Sequence, residues 1–290
     1  LYNYIYIYIY IMKNSDICIV TSFNQKLYEK YANVFIDSYG DNNIPFDLFI
    51  YSEDDNNNFK NIKKNMKIIQ LLNNNIPLNK FYKNNENYTL EKYINCTKNQ
   101  WKYDCIRFSY KVFSIIHNFN HYDTYKYIIW IDADTIFKKN FDFSLIKKLI
   151  KNENMMSYLG RVPGEYHSEC GFLIFNKKHE KIKDYFNEIE KLYLSKEIFN
   201  EKEWHDSYIW DLIRIKYEEK YKITNFNISK YFYNNLINKN IDKENFMSKN
   251  VLSKIPLNKY LIHLKGEKNK IEKKIVTQID KKNYIFKIDL

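Results

Sequence analysis

Apolar residues along the first half of the chain fall into short unbroken runs, which alternate with stretches of helix-like spacing. Asp16 to Thr21 (DICIVT) predicts a short buried strand that opens into a polar loop, Ser22-Phe23-Asn24. Gln25 to Tyr39 has helical periodicity, with Leu27, Tyr31, Val34, Phe35 and Ser38 on related faces and Gly40 as its stop. Phe46 to Tyr51 (FDLFIY) predicts a second strand and Met66 to Leu72 a third. Residues 73–100 are rich in Asn and Lys without a period, and are expected to form an irregular insertion. Trp101 to Phe119 carries the strongest helical stripe, through Ile106, Tyr110, Phe113, Ile115 and Ile116. Tyr127 to Ile131 is apolar on both faces, as in the middle of a covered parallel sheet.

The second half continues with a helix over Phe143 to Asn152 and strands at Met156 to Leu159 and Gly171 to Phe175. Helices are expected at Lys178 to Leu194 and Trp204 to Ile215, a short strand ends at His263, and the tail suggests a hairpin about DKKN. Alternation of strand and helix predicts an α/β fold with a central, mostly parallel or mixed sheet flanked by helices. In such sheets ligands sit beyond the carboxyl ends of the strands.

The chain has 290 residues, enough for one large α/β domain, with 45% hydrophobic and 28% charged residues. Its formal charge of +11 favours acidic partners, but the lysines are dispersed over the whole length and read as solvated surface. Much of the Asn and Lys follows the composition of AT-rich codons. Cys18 and Cys105 lie in apolar surroundings and are expected to be buried thiols, and no CxxC pair or zinc spacing occurs. Residues 1–11 (LYNYIYIYIYI) are expected to be a non-native or disordered leader, with Met12 as the natural start. They are too short for a transmembrane helix, so the expectation is a cytoplasmic protein, soluble or peripherally membrane-associated.

The glycines narrow the chemistry. There are five, and none forms GxGxxG or GxxxxGK, so both a dinucleotide fingerprint and a P-loop are absent. Any phosphate would then depend on a metal. Asp132 and Asp134, in YIIWIDADTIF, follow a strand at i and i+2, where they can converge on one hard cation. A cap-and-turn pair is the plain alternative. His263, in YLIHLKGEKNK, can supply a third ligand. Gly266 lets backbone approach a phosphate, and Lys268 or Lys270 can neutralise it. Arg107 and Lys111 stand one turn apart on the helix before the DAD strand, where they can present two charges to a diphosphate or form an exposed basic face.

IDADTIF followed far downstream by HLKGEK resembles the DxD and HxxG…K signatures of GT-A-fold glycosyltransferases, especially the glycogenin and bacterial galactosyltransferase group. The likeness extends from about Asp16 to Lys270 and implies a single GT-A-like domain over 12–290. Within it, 12–140 would form a nucleotide-binding half, 141–275 an acceptor half and 276–290 a terminal hairpin or tail. It implies that Asp132, Asp134 and His263 bind Mn²⁺ or Mg²⁺, which holds a nucleotide-diphosphate sugar, with Ala133 between the carboxylates also at the donor site. The family's lysine usually falls three residues past the glycine; here that position is Asn269, flanked by Lys268 and Lys270. Thr21, Ser22 and Phe23 resemble the segment that receives base and ribose. Glu169, in SECGFLIFN, resembles a residue facing the donor sugar, and Asp206, in WHDSYIWD, one that contacts it near the reacting carbon; these two are the catalytic candidates. Asp206 has a plainer alternative as a helix N-cap, with Asp211 as solvent charge. Trp204 and His205 are candidates for the acceptor cleft.

The implied activity is transfer of a sugar, from a UDP-sugar and with retention, to a glycan, glycoprotein or glycolipid hydroxyl. Two alternatives remain at this stage: a metal-dependent nucleotidyl- or phosphotransferase, and a non-catalytic basic module that binds nucleic acid.

Overall fold

The computed structural model describes residues 13–55, 57–95, 99–138, 141–161, 167–235, 247 and 251–264, the side chains of 86–95 excepted. The leader 1–11, Gly266, Lys268, Lys270 and the terminal hairpin lie outside the described residues.

Strands β1 (Ile17–Phe23), β2 (Asp47–Ser52), β3 (Met66–Gln70), β4 (Tyr127–Ile131), β6 (Met156–Leu159), β7 (Glu169–Asn176) and β8 (Phe226–Asn227) form one sheet in the order β3-β2-β1-β4-β7-β6-β8. The first four run parallel, and β7 enters antiparallel between β4 and β6. The chain is therefore an α/β fold with a mixed, mostly parallel sheet, as its pattern predicts. A separate ribbon pairs β5 (Thr135–Phe137) antiparallel with β9 (Leu261–His263).

Both faces of the sheet are covered, so its strands need apolar residues at every position rather than at alternate ones. The two-residue period sorts them. Ile17, Ile19, Leu48, Ile50, Ile129, Phe172 and Ile174 pack into one core, and Cys18, Val20, Phe49, Tyr51, Ile128, Trp130, Leu173 and Phe175 into the other. Each fully buried aliphatic side chain contributes roughly 1.5–3 kcal/mol. Cys18 and Cys105 are buried free thiols, as expected.

The helices correct several expected boundaries. After a turn of helix α1 (Gln25–Leu27), capped by Asn24, the chain makes a π-turn at Tyr28–Ala32 and continues as α2 (Asn33–Asp41). Gly40 does not stop it; the helix runs one residue further to Asp41. Within the expected irregular insertion at 73–100, residues 73–74 and 76–95 are instead helical, forming the end of α3 (Leu71–Asn74) and the whole of α4 (Ile76–Asn95). Asn75 caps α4 through the Leu78 amide, and Leu78 and Phe81 bury one narrow stripe. That stripe was hidden among the surrounding asparagines, one of which, Asn85, is buried beside it.

Helix α5 (Cys105–His121) starts only after Asp104, whose side chain caps the Arg107 amide. Trp101 thereby falls in a short 3-10 turn instead of the helix. Helix α6 (Phe143–Leu149) is capped by Asp142 and ends three residues short of the expected Asn152. Helix α7 (Ile182–Leu194) starts four residues later than expected. Helix α8 (Asp206–Tyr221) is capped by His205 and outruns its apolar pattern by a turn and a half. The short helices α9 (Ile228–Asn234) and α10 (Val251–Lys254) complete the described chain.

Candidate active site

Strand β4 ends at Ile131, and the chain turns through Asp132, Ala133 and Asp134 directly into β5. The register of the ribbon then does the decisive work. Thr135 pairs with His263, and the next rung is closed by the Leu264 amide donating to the Asp134 carbonyl at 2.8 Å. A histidine 129 positions away is thus brought beside the carboxylate, with Nε2 3.1 Å from Asp134 Oδ1 and 3.9 Å from Asp132 Oδ2. One ligand atom from each of Asp132, Asp134 and His263 lies within 4.8 Å of the other two.

The floor of this cluster is Gly171 on β7. A Cβ built there would stand 2.9 Å from His263 Cε1 and 3.4 Å from Asp132 Oδ2, so only a bare Cα lets the ring settle. Two hard carboxylates and an imidazole, drawn together over a glycine, make a donor set that fits a divalent cation with oxygen and nitrogen ligands. Gly171→Ala should push the ring or the strand aside and weaken Mn²⁺ binding by roughly tenfold, at a stability cost of about 1–3 kcal/mol. Titrating the variant with Mn²⁺ while following the free-ion EPR signal checks this, and parental affinity would count against the arrangement.

The electrostatics favour a cation at the cluster. Burial alone would lower the pKa of His263, but hydrogen bonds to Asp134 and Glu169 raise it to about 9. Without a metal the carboxylates thus favour a second proton on the ring, and a cation ligated by Nε2 would take the place of that proton.

Lys111 sits differently from its expected role. Its Nζ lies 2.8 Å from Asp132 Oδ1, 2.6 Å from Asp206 Oδ2 and 2.9 Å from the Cys170 carbonyl. An ammonium has three protons, and these contacts use them all. Lys111 is thus a strut between two carboxylates. Burial would depress its pKa, yet Asp132 and Asp206 hold it well above the usual lysine range. Burial would likewise raise Asp206, but Lys111 outweighs it and keeps the carboxyl below its ordinary value. Asp206 is the first residue of α8 and not its cap, a role that His205 fills by accepting from the Tyr208 amide. Asp211 is no solvent charge; it is buried and binds the Ser168 amide and hydroxyl and Arg214.

Arg107, one turn before Lys111, is exposed. Thr21 is wholly buried, its Oγ1 without a hydrogen-bond partner among the described residues. Ser22 donates to Glu53, and Phe23 packs in the core against Phe59. Glu169 has no exposed surface and lies behind His263. Trp204 is buried, whereas the Trp101 indole is 47% exposed and lies tilted against the His205 ring, with centroids 4.8 Å apart.

Four participants escaped the sequence reading. Trp130 donates its indole N–H to Asp132 Oδ1 at 2.7 Å, Gly171 makes room, Arg161 reaches Glu169, and His167 joins a second trio with Glu203 and His205. That trio is close enough to suggest a metal, but its hydrogen bonds argue otherwise. His205 Nδ1 accepts from a backbone amide, so its proton is on Nε2, which donates to Glu203 at 2.7 Å. A metal there would require loss of the cap or an imidazolate.

No protein-family model matches the chain, and no curated protein matches it. Among solved structures it is similar to the apo form of mouse xyloside xylosyltransferase 1, with 13% identity, 73% of this chain and 84% of that one covered, and a TM-score of 0.43. It is similar to a glycosyltransferase involved in glycosylation of the major capsid of PBCV-1, with 10% identity, 89% and 98% covered, and a TM-score of 0.43. It is also similar to the bifunctional glycosyltransferase WbbM in its apo form, with 13% identity, 89% of this chain and 47% of that one covered, and a TM-score of 0.49. The chain spans about half the length of WbbM. Likeness at this level transfers no residue role.

Proposed function

We propose that the chain is a metal-dependent GT-A glycosyltransferase that moves a sugar from a UDP-sugar to an acceptor hydroxyl, with retention of configuration. The observation that carries this reading is the convergence of Asp132, Asp134 and His263 where β4 ends, in a chain without a phosphate-binding glycine loop. Fold alone would not support it; the donor set does. Mn²⁺ or Mg²⁺ held there supplies positive charge to a leaving diphosphate.

In this reading the chain's own residues divide the work. Exposed Arg107 supplies further charge for the diphosphate, joined by Lys268 or Lys270 beside Gly266. Thr21, Ser22 and Phe23 lie at the carboxyl end of β1, the position for base and ribose, but with Thr21 and Phe23 buried it is Ser22 whose side chain can meet them. Lys111 fixes Asp206, which meets the donor sugar, at a set distance from Asp132. Trp101 and His167 border the acceptor side, where an aromatic face suits a sugar ring. Residues 12–140 thus form the nucleotide half and 141–275 the acceptor half. The acceptor is a glycan, glycoprotein or glycolipid, and among the described residues no helix is long and apolar enough to cross a membrane.

A thermal-shift screen of nucleotide-sugars tests the reading. A ligand at one hundred times its Kd stabilises the native state by about 2.7 kcal/mol. A UDP-sugar should raise the melting temperature with Mn²⁺ present and not without it, and turnover should release UDP. Release of pyrophosphate, or no metal-dependent shift with any UDP-sugar, would sink the proposal.

A further inference from the structure

Strand β7 carries a buried carboxylate that the proposed chemistry leaves unused. Glu169 opens the strand with 0% exposure. Its Oε1 lies 3.1 Å from His263 Nδ1, and its Oε2 lies 3.1 Å from Arg161 Nη2 and accepts from the Leu252 amide at 3.4 Å. A carboxylate shut away from water is costly unless charged or N–H donors surround it. Here His263, Arg161 and the Leu252 amide are among the donors that do so, and the first of them is the candidate metal ligand.

The consequence for that ligand is geometric. A carboxylate at Nδ1 keeps the ring proton on that atom, leaving Nε2 as the nitrogen that can ligate. Nε2 is the atom turned to Asp134 and Asp132. Gly171, two residues along and therefore on the same face of β7, admits the ring from the side. One strand thus sets both the tautomer and the orientation of His263. Arg161, at the end of β6, balances the charge that this demands, and it anchors itself by donating from Nη1 to the His167 carbonyl at 3.2 Å.

We propose that Glu169 is a positioning residue that presents His263 Nε2 to a divalent cation, with Arg161 as its counter-charge. The proposal rests on the metal reading of Asp132, Asp134 and His263. Carboxylates behind a ligating histidine commonly change metal affinity by roughly 10–100-fold when removed.

The test compares the full chain with Glu169→Gln and Glu169→Ala, following free Mn²⁺ by EPR and the imidazole nitrogens by long-range ¹H–¹⁵N correlation in Mg²⁺. Asp16→Asn serves as the control, since Asp16 is also a buried carboxylate paired with a lysine, but stands at the amino end of β1. Glu169→Ala should bind Mn²⁺ roughly 10–100-fold more weakly and lose the single Nδ1–H tautomer at His263, whereas Glu169→Gln, which keeps an acceptor oxygen but not the charge, should keep the tautomer and bind roughly tenfold more weakly. Asp16→Asn should lower stability and move neither readout. Folded Glu169 variants with parental Mn²⁺ affinity and tautomer would overturn the proposal while leaving the metal site standing. A parent chain that binds no Mn²⁺ would overturn the metal reading itself, and the proposal with it. Should the alanine variant not fold, the near-isosteric glutamine variant decides by its Mn²⁺ affinity.

Discussion

Asp134→Asn should abolish metal-dependent UDP release, lowering turnover by roughly three orders of magnitude, because the charge stabilisation at stake is several kcal/mol and each 1.36 kcal/mol is tenfold. Asp134 is 4% exposed, and its carboxylate is 3.1 Å from His263 Nε2. Asparagine has the same shape and can still accept that hydrogen bond, so the fold should survive while the ligand charge is lost. The backbone is held independently by Leu264. Asp132→Asn should cost less in metal affinity. Its Oδ1 already serves Trp130 and Lys111, which leaves Oδ2 to face the cluster. Comparing UDP release with circular dichroism for each variant gives the answer, and turnover of Asp134→Asn within tenfold of the parent would remove the metal from the mechanism.

Lys111→Met should cost stability as well as activity. It strips the counter-charge from Asp206, which is 4% exposed, and from one oxygen of Asp132. Removing one partner of a buried ion pair typically costs roughly 3–5 kcal/mol. For a chain of this size that corresponds to a fall in Tm of about 6–20 °C. Adding Asp206→Leu should recover part of the loss, because an apolar pair can replace a buried ionic one, yet activity should stay absent. A melt of the single variant within about 2 °C of the parent would show that Asp206 does not depend on Lys111.

The strands were legible because a covered sheet demands continuous apolar runs, and Ile17–Val20, Leu48–Tyr51 and Tyr127–Ile131 supply them without interruption. Helix α4 was not legible, since among its described side chains the buried apolar ones are Leu78 and Phe81, set among asparagines. At the site, DAD and HLKG exposed the three candidate ligands, as charged or titratable residues at strand ends do. What the sequence could not reveal is which atoms face each other. Lys111 seemed to point at a ligand because spacing on a helix specifies a face and nothing about partners from other elements. Glu169 could be given a role at the sugar only by likeness. Its place behind His263 follows from the pairing of β5 with β9 and from the bulge that shifts β6 against β7 between Tyr158 and Leu159. Gly171 did carry a signal: a glycine inside an otherwise bulky strand marks a close approach.

The β5–β9 ribbon also has a temporal meaning. Both carboxylates are present in the chain once residue 134 is made, but the imidazole arrives 129 positions later. Until β9 docks, a growing chain carries Asp132 and Asp134 without the ring that completes the set. The two parts of the cluster are thus separated by nearly half the polypeptide, and closing that span has an entropic cost that grows with the logarithm of its length. A chain interrupted before residue 261 can build most of the parallel sheet and still have no complete donor set. Competence to bind a cation is therefore a late event in the life of each molecule, and it reports that the second half has folded onto the first.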